Sequence, residues 1–180
     1  MMNRLLYRLT AGLPARLIKL DGKPYLERYF VGQVFGVTVY LHRFVSSDSE
    51  RHLHNHPWGW GRALVLAGCY DEDSVTDLST AAPDGCVTRT RRVWLWNRVD
   101  GAYFHRVSWV KPGTWTLFMH GPRVYLEDQA AVPKGWGFLR LEGDLVVFEQ
   151  HPPPVAARDR FWWKYAPHGR DVGRVRLKRR

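Results

Sequence analysis

Two cysteines in 180 residues, Cys69 and Cys86, are too few for a disulfide framework, and their spacing matches no zinc-binding pair. Stability has to come from a packed core, which a chain of this length can bury. No stretch of about 18 apolar residues is present, so no transmembrane helix and no membrane partner are expected. The opening MMNRLLYRLTAGLPARL lacks an uninterrupted apolar core, and Pro14 and Arg16 break its pattern. No signal peptide is expected, and a cytoplasmic location is the default. There is no internal repeat, which argues against a solenoid or propeller.

Acidic residues are also scarce. Seventeen stand against 27 Lys and Arg, leaving a net charge of +10. Such a balance draws a protein to nucleic acid, acidic surfaces or phosphorylated small molecules. The end of the chain carries Arg170, Arg174, Arg176, Lys178, Arg179 and Arg180 against Asp171 alone. Like-charge runs repel and stay solvated, so a partly disordered tail is the plain expectation. The functional alternative is nucleic-acid binding through Arg174, Arg176, Lys178, Arg179 and Arg180, with the rings of Phe161–Tyr165 stacking on single strands.

Aromatic residues, by contrast, are plentiful: they make up 14% of the chain and include nine tryptophans. Rigid rings in that number suit a packed β architecture. Residues 3–10 fit one short helix, ended by Gly12 and Pro14. Strands are expected at Leu17–Leu20, Tyr25–Val31, Val34–Phe44, Ala63–Tyr70, Val87–Trp96, Phe104–Val110, Trp115–Met119, Arg123–Leu126, Gly137–Leu141 and Leu145–Gln150. Asp71–Gly85 reads as a loop, with Asp71, Glu72 and Asp73 solvated. Many short strands with Gly/Pro-rich turns argue for a mainly β sandwich or barrel. The prolines after His151 close that region, giving a barrel domain over 1–150 with its N-terminal extension. An appendage over 151–180 follows, with a Pro-rich turn, a short aromatic helix and the basic tail.

The run RHLHNHPWGW carries the chemistry. His52, His54 and His56 alternate, and on a strand alternate side chains share one face at a repeat of roughly 6.6 Å. Two imidazoles so placed can converge on one ion, and imidazole suits Fe, Ni and Zn, and Mn less well. A third ligand has to come from a distant segment. His105 is the first candidate and His120 the second, while His52 sits toward the mouth as an additional one.

With His54-Asn55-His56 as the HxH pair, Gly68 where a glycine belongs and His105 on a later strand, residues 35–125 resemble the cupin superfamily. The resemblance implies a small antiparallel jelly-roll β-barrel holding one divalent ion (Fe, Ni, Mn or Zn) on His54, His56 and His105. Two departures stand out. The position of the usual acidic ligand holds Trp60, Gly61 or Arg62, and no Pro-Gly turn precedes His105. A barrel without that acid is similar to the three-histidine oxygenases of the superfamily.

Around the histidines, Trp58 and Trp60 supply flat walls, Arg62 and Arg92 are the inward candidates for gripping an anion, and Tyr103 is a candidate donor. Arg106, next to His105, should face away from it. Trp94, Trp96, Trp109, Trp115 and Trp136 are expected to line the barrel. Three readings follow: a metal-dependent oxygenase, isomerase or lyase acting on a small anionic or planar substrate; a barrel that sequesters a phosphorylated or nucleotide-like ligand; and a nucleic-acid-associated protein using its tail. A homodimer formed through the Tyr25–Val31 segment is a further expectation.

Overall fold

The computed structural model describes residues 2–20, 22–47, 52–75, 88–101, 103–123, 136–142, 145–150 and 161–177. Among these residues one α-helix, α1 (Met2–Leu9), precedes eleven strands: β1 (Ala15–Leu20), β2 (Lys23–Val34), β3 (Val37–Phe44), β4 (Gly61–Ala67), β5 (Tyr70–Val75), β6 (Thr88–Val93), β7 (Trp96–Val99), β8 (His105–Val110), β9 (Thr114–His120), β10 (Gly137–Glu142) and β11 (Leu145–Gln150).

The first sheet has the order β1-β2-β3-β9-β4-β7. In the second, β6-β5-β8 and β10-β11 are joined by a short extended segment, residues 53–55. On one side His54 exchanges two backbone hydrogen bonds with His105, at 3.0 and 2.9 Å. On the other, Leu139 N–H donates to Leu53 and Asn55 N–H donates to Gly137. Both sheets are antiparallel throughout. They face each other, and strand alternation decides what lies between them.

Leu26 and Phe44 from the first sheet meet Tyr70, Val93 and Val107 from the second in one buried cluster, which fixes the inner faces. Counting by twos places Arg28, Tyr40, His42, Phe118 and Ala63 inside from the first sheet. Glu72, Arg91 and His105 point inside from the second. The fold is thus a cupin-like antiparallel barrel, in agreement with the sequence.

Several local expectations are corrected. Ala63–Tyr70 is not one strand: Gly68, at φ +81°, turns the chain between β4 and β5, and a Cβ there would run into Thr114. The stretch after it is not a loop, because Tyr70–Val75 is an interior strand paired on both sides. Trp94-Leu95 breaks the expected Val87–Trp96 strand into β6 and β7, which belong to different sheets. Tyr25–Val31 lies within β2, between β1 and β3, so it offers no edge for strand pairing with a second copy. Val124–Leu126 of the expected Arg123–Leu126 strand and the prolines 152–154 lie outside the described residues.

The described part of the C-terminal segment, residues 161–177, is tied to the barrel by specific contacts, although many of its side chains are exposed. His168 bridges to Pro14, and Gly169 and Arg170 donate to Leu13 and Ala11. Glu27 and Arg43 form a buried ion pair at 3.0 Å on the outer face of the first sheet. Together they clasp the Val175 peptide unit: Val175 N–H donates to Glu27 Oε1 and Arg43 donates to Val175 O, both at 2.7 Å. Arg174 donates to Tyr7 O and lies over the Tyr7 ring. Trp162 is buried against Tyr40 and Phe118, and Trp163 stacks on Phe30 at 4.5 Å. Arg174 and the 162–163 rings are therefore engaged in packing. Arg176 is exposed, and Lys178, Arg179 and Arg180 lie outside the described residues.

Candidate metal centre

Three of the histidines singled out from the sequence come together: the ligand atoms of His54, His56 and His105 all lie within 4.8 Å of one another. Alternation puts His54 and His56 on the inner face of residues 53–55 and just beyond, and the backbone bridge sets His105 beside them. The ring centroids of His54 lie 5.1 Å from both His56 and His105. His54 and His105 are buried, and His56 is half-buried.

Asn55, between the two ligands, faces the other way and is fully buried. Its amide donates to Gly101 O at 2.7 Å, and its carbonyl accepts from Gly137 N–H at 2.8 Å. One side chain thereby ties the histidine-bearing segment to Gly101 on one side and to the start of β10 on the other.

The decisive contact is on His105. Its Nδ1 lies 2.6 Å from Glu72 Oε1, and its Nε2 lies 2.8 Å from His56 Nε2. A carboxylate on Nδ1 holds the proton there and leaves the Nε2 lone pair facing the cluster, as metal-ligating imidazoles require. Glu72 is wholly buried on β5. It also accepts from Asn97 Nδ2 at 2.5 Å, Tyr103 OH at 3.1 Å and Arg91 at 2.9 and 3.1 Å. Asn97 in turn donates to Tyr70 OH at 2.9 Å. Burial pushes the Glu72 pKa up, but the His105 and Asn97 hydrogen bonds and the Arg91 charge outweigh it, and the net shift is downward. The carboxylate is thus held ionised.

The donor set fits a divalent ion. Three imidazoles with ligand distances of about 2.0–2.1 Å put their nitrogens about 3 Å apart, close to the His56–His105 separation. Three protein ligands leave positions for water or substrate.

The other candidates fall into two groups. Trp58 stacks between His56 at 4.7 Å and His120 at 4.2 Å, and the Tyr103 ring lies 5.5 Å from His105, so both border the site. His120 stands beyond Trp58, with Nδ1 donating to Gly121 O at 2.7 Å, and is outside the cluster. His52 is exposed and also outside it. Trp60 packs against Gly121 rather than the histidines.

Arg62 and Arg92 are not inward. Arg62 pairs with Arg98 and Met119 on the outer face of the first sheet. Arg92 pairs outside with Asp71 at 2.8 Å and covers Trp109. Arginines on the inner faces include Arg28, which donates to His42 at 3.0 Å, and Arg91. Arg106 does face away, bound to Asp73. Trp94, Trp96 and Trp109 are 73, 51 and 42% exposed, and Trp115 is buried on the outer face with Tyr29. Among the described tryptophans, Trp58, Trp162 and Trp163 pack against the inward-facing Tyr40 and Phe118 cluster.

Sequence reasoning missed Glu72, Arg91, Asn97 and Asn55.

Two opposed antiparallel sheets enclosing an inward three-histidine cluster make this a cupin-like barrel with a candidate metal site. No protein-family model matches the chain, and no curated protein matches it. Among solved structures, it is similar to an Fe(II)-HppE with the alternative substrate (S)-1-HPP, at 12% identity and TM-score 0.45 over 61% of this chain and 55% of that one. It is also similar to KdgF from Halomonas sp. (14%, TM-score 0.43, 58% and 87%) and to an oxalate decarboxylase (14%, TM-score 0.46, 63% and 28%). The chain thus spans about half of HppE and under a third of the oxalate decarboxylase. At these identities and TM-scores no activity transfers to this chain.

Proposed function

We propose that this protein is a metal-dependent enzyme of the oxygenase, isomerase or lyase class, acting on a small anionic or planar substrate. His54, His56 and His105 hold one divalent ion (Fe, Ni, Mn or Zn). The observation that carries the reading is the His105 bridge, with Glu72 on Nδ1 and His56 on the Nε2 side. With Nδ1 bound to Glu72, the remaining nitrogen of His105 is free to act as a ligand, and the ligand atoms of all three histidines lie within 4.8 Å of one another.

When bound, the ion supplies Lewis-acid or oxygen-activating chemistry at its open positions. The chain's own residues do the rest. Glu72 fixes the His105 tautomer, and Arg91, Asn97 and Tyr103 fix Glu72. Trp58 lies flat against His56 and shields that side of the site from water. Because Glu72 is committed to His105, the ligand set has no carboxylate among the described residues, which favours the three-histidine oxygenase class over the others.

Cobalt substitution tests this reading. Addition of Co2+ to metal-free protein should give a visible ligand-field spectrum saturating at one equivalent, and azide should shift it through an open position. A spectrum that azide leaves unchanged would mean a closed, structural site.

A further inference from the structure

A groove of about 530 Å3 opens where the β7 edge of one sheet meets the β6 edge of the other. It is lined by Arg62, Arg91, Trp96, Asn97, Arg98 and Met119. That volume is ordinary for a small-molecule site. Arg62 and Arg98 stand directly opposite each other across the β4–β7 ladder. Like charges in that position destabilise a sheet unless something anionic joins them.

The nearby carboxylates do not fill that role for both. Asp100 accepts from Arg98 Nε at 3.1 Å, yet the Arg98 side chain stays 69% exposed, and such surface pairs exchange readily. Glu72 is fully buried behind Arg91, whose side chain remains 37% exposed on the groove side. Trp96, half exposed, stands on the groove wall as a flat apolar face.

We propose that this groove binds a nucleoside phosphate, with the phosphoryl group on Arg62, Arg91 and Arg98 and the base against Trp96. Guanidinium forks match phosphoryl oxygens, and three of them suit a dianionic monoester better than a single carboxylate. An indole face accepts any base by stacking.

The groove floor also reaches the histidines. Arg91 donates to Glu72 through Nε and Nη2, and Glu72 holds His105 Nδ1. A phosphate on Arg91 competes with Glu72 for the same donors, so occupation of the groove couples to the ligand His105. This link, though not the groove itself, rests on the metal-site reading above.

The test is titration of the full chain with adenosine monophosphate, adenosine and inorganic phosphate, followed by calorimetry and tryptophan fluorescence at low salt. The monophosphate should bind saturably at one site, at least tenfold tighter than either fragment. Trp96→Leu and the double variant Arg62→Ala/Arg98→Ala should each weaken it about tenfold or more, and the double variant, relieved of the facing charges, should melt no lower than the wild type. No saturation at millimolar monophosphate, inorganic phosphate binding as tightly, or affinity surviving both variants would overturn the proposal. An oligonucleotide binding far more tightly through the same residues would also overturn it, in favour of a nucleic-acid surface.

For the link, one equivalent of Zn2+ should change the monophosphate affinity several-fold, and equal affinities would refute it. If the protein takes up none of zinc, iron, nickel or manganese, the metal reading fails and the groove is judged on monophosphate binding alone.

Discussion

Replacing Glu72 by Gln probes the contact on which the site depends. The carboxylate accepts from His105, Asn97, Tyr103 and Arg91 and donates to none of them. A glutamine keeps the shape but turns one acceptor into an amide donor, which then faces either His105 Nδ1–H and Asn97 or Tyr103 and Arg91. Breaking a buried pair by removing one partner costs about 3–5 kcal/mol. Arg91 is partly exposed and recovers some hydration, so a loss of about 2–3 kcal/mol is expected here. Metal affinity should fall roughly 10- to 100-fold, because His105 loses the group that sets its tautomer. Denaturant unfolding of the metal-free protein and zinc competition against a chromophoric chelator read the two effects separately. An E72Q protein that binds zinc within twofold of wild type would refute the orienting role, whatever its stability.

Three further perturbations follow from the packing. Asn55→Ala strands the Gly137 N–H and the Gly101 carbonyl, and should cost about 2–4 kcal/mol in denaturant unfolding and weaken metal binding along with it. Glu27→Gln loosens the clasp on Val175 and should destabilise the fold by about 3 kcal/mol, with limited proteolysis cutting near residue 175 before the barrel. His120 is pushed down from 6.5 to about 4, chiefly by burial, with the Arg28 and Arg123 charges adding to it. The unfolded chain takes up that proton first, so the His120 contribution is complete above about pH 6.5, declines as pH falls toward 4, and is flat below. The loss should amount to about 3 kcal/mol, and His120→Gln should remove that part of the pH slope. A slope identical in the variant would count against a neutral, buried His120.

The histidine pair and the barrel were legible because both follow from alternation, which is local. His54 and His56 share a face by spacing alone, and the antiparallel strands announce themselves by their turns. The orientation of Arg62 and Arg92 was not legible. One residue of register reverses a side chain, and register here depends on the β4–β9 and β5–β6 pairings between segments distant in sequence. Glu72 was hidden for a related reason: a run of three acids reads as solvated until the partners Arg91, Asn97 and His105 are known to converge on its middle member. The anchoring of Val175 was not legible because the charge of the run was visible while its buried receptor, Glu27 with Arg43, lies almost 150 residues upstream in the sequence. Nothing in a basic run signals that its backbone is held.

The central claim is that three histidines hold one ion, and elemental analysis of the purified protein tests it most directly, with His54→Ala/His56→Ala as control. About one equivalent of iron, nickel, manganese or zinc per chain is expected, lost in the double variant while the fold persists. A well-folded protein that carries no metal, and takes up none when these ions are supplied, would contradict the account.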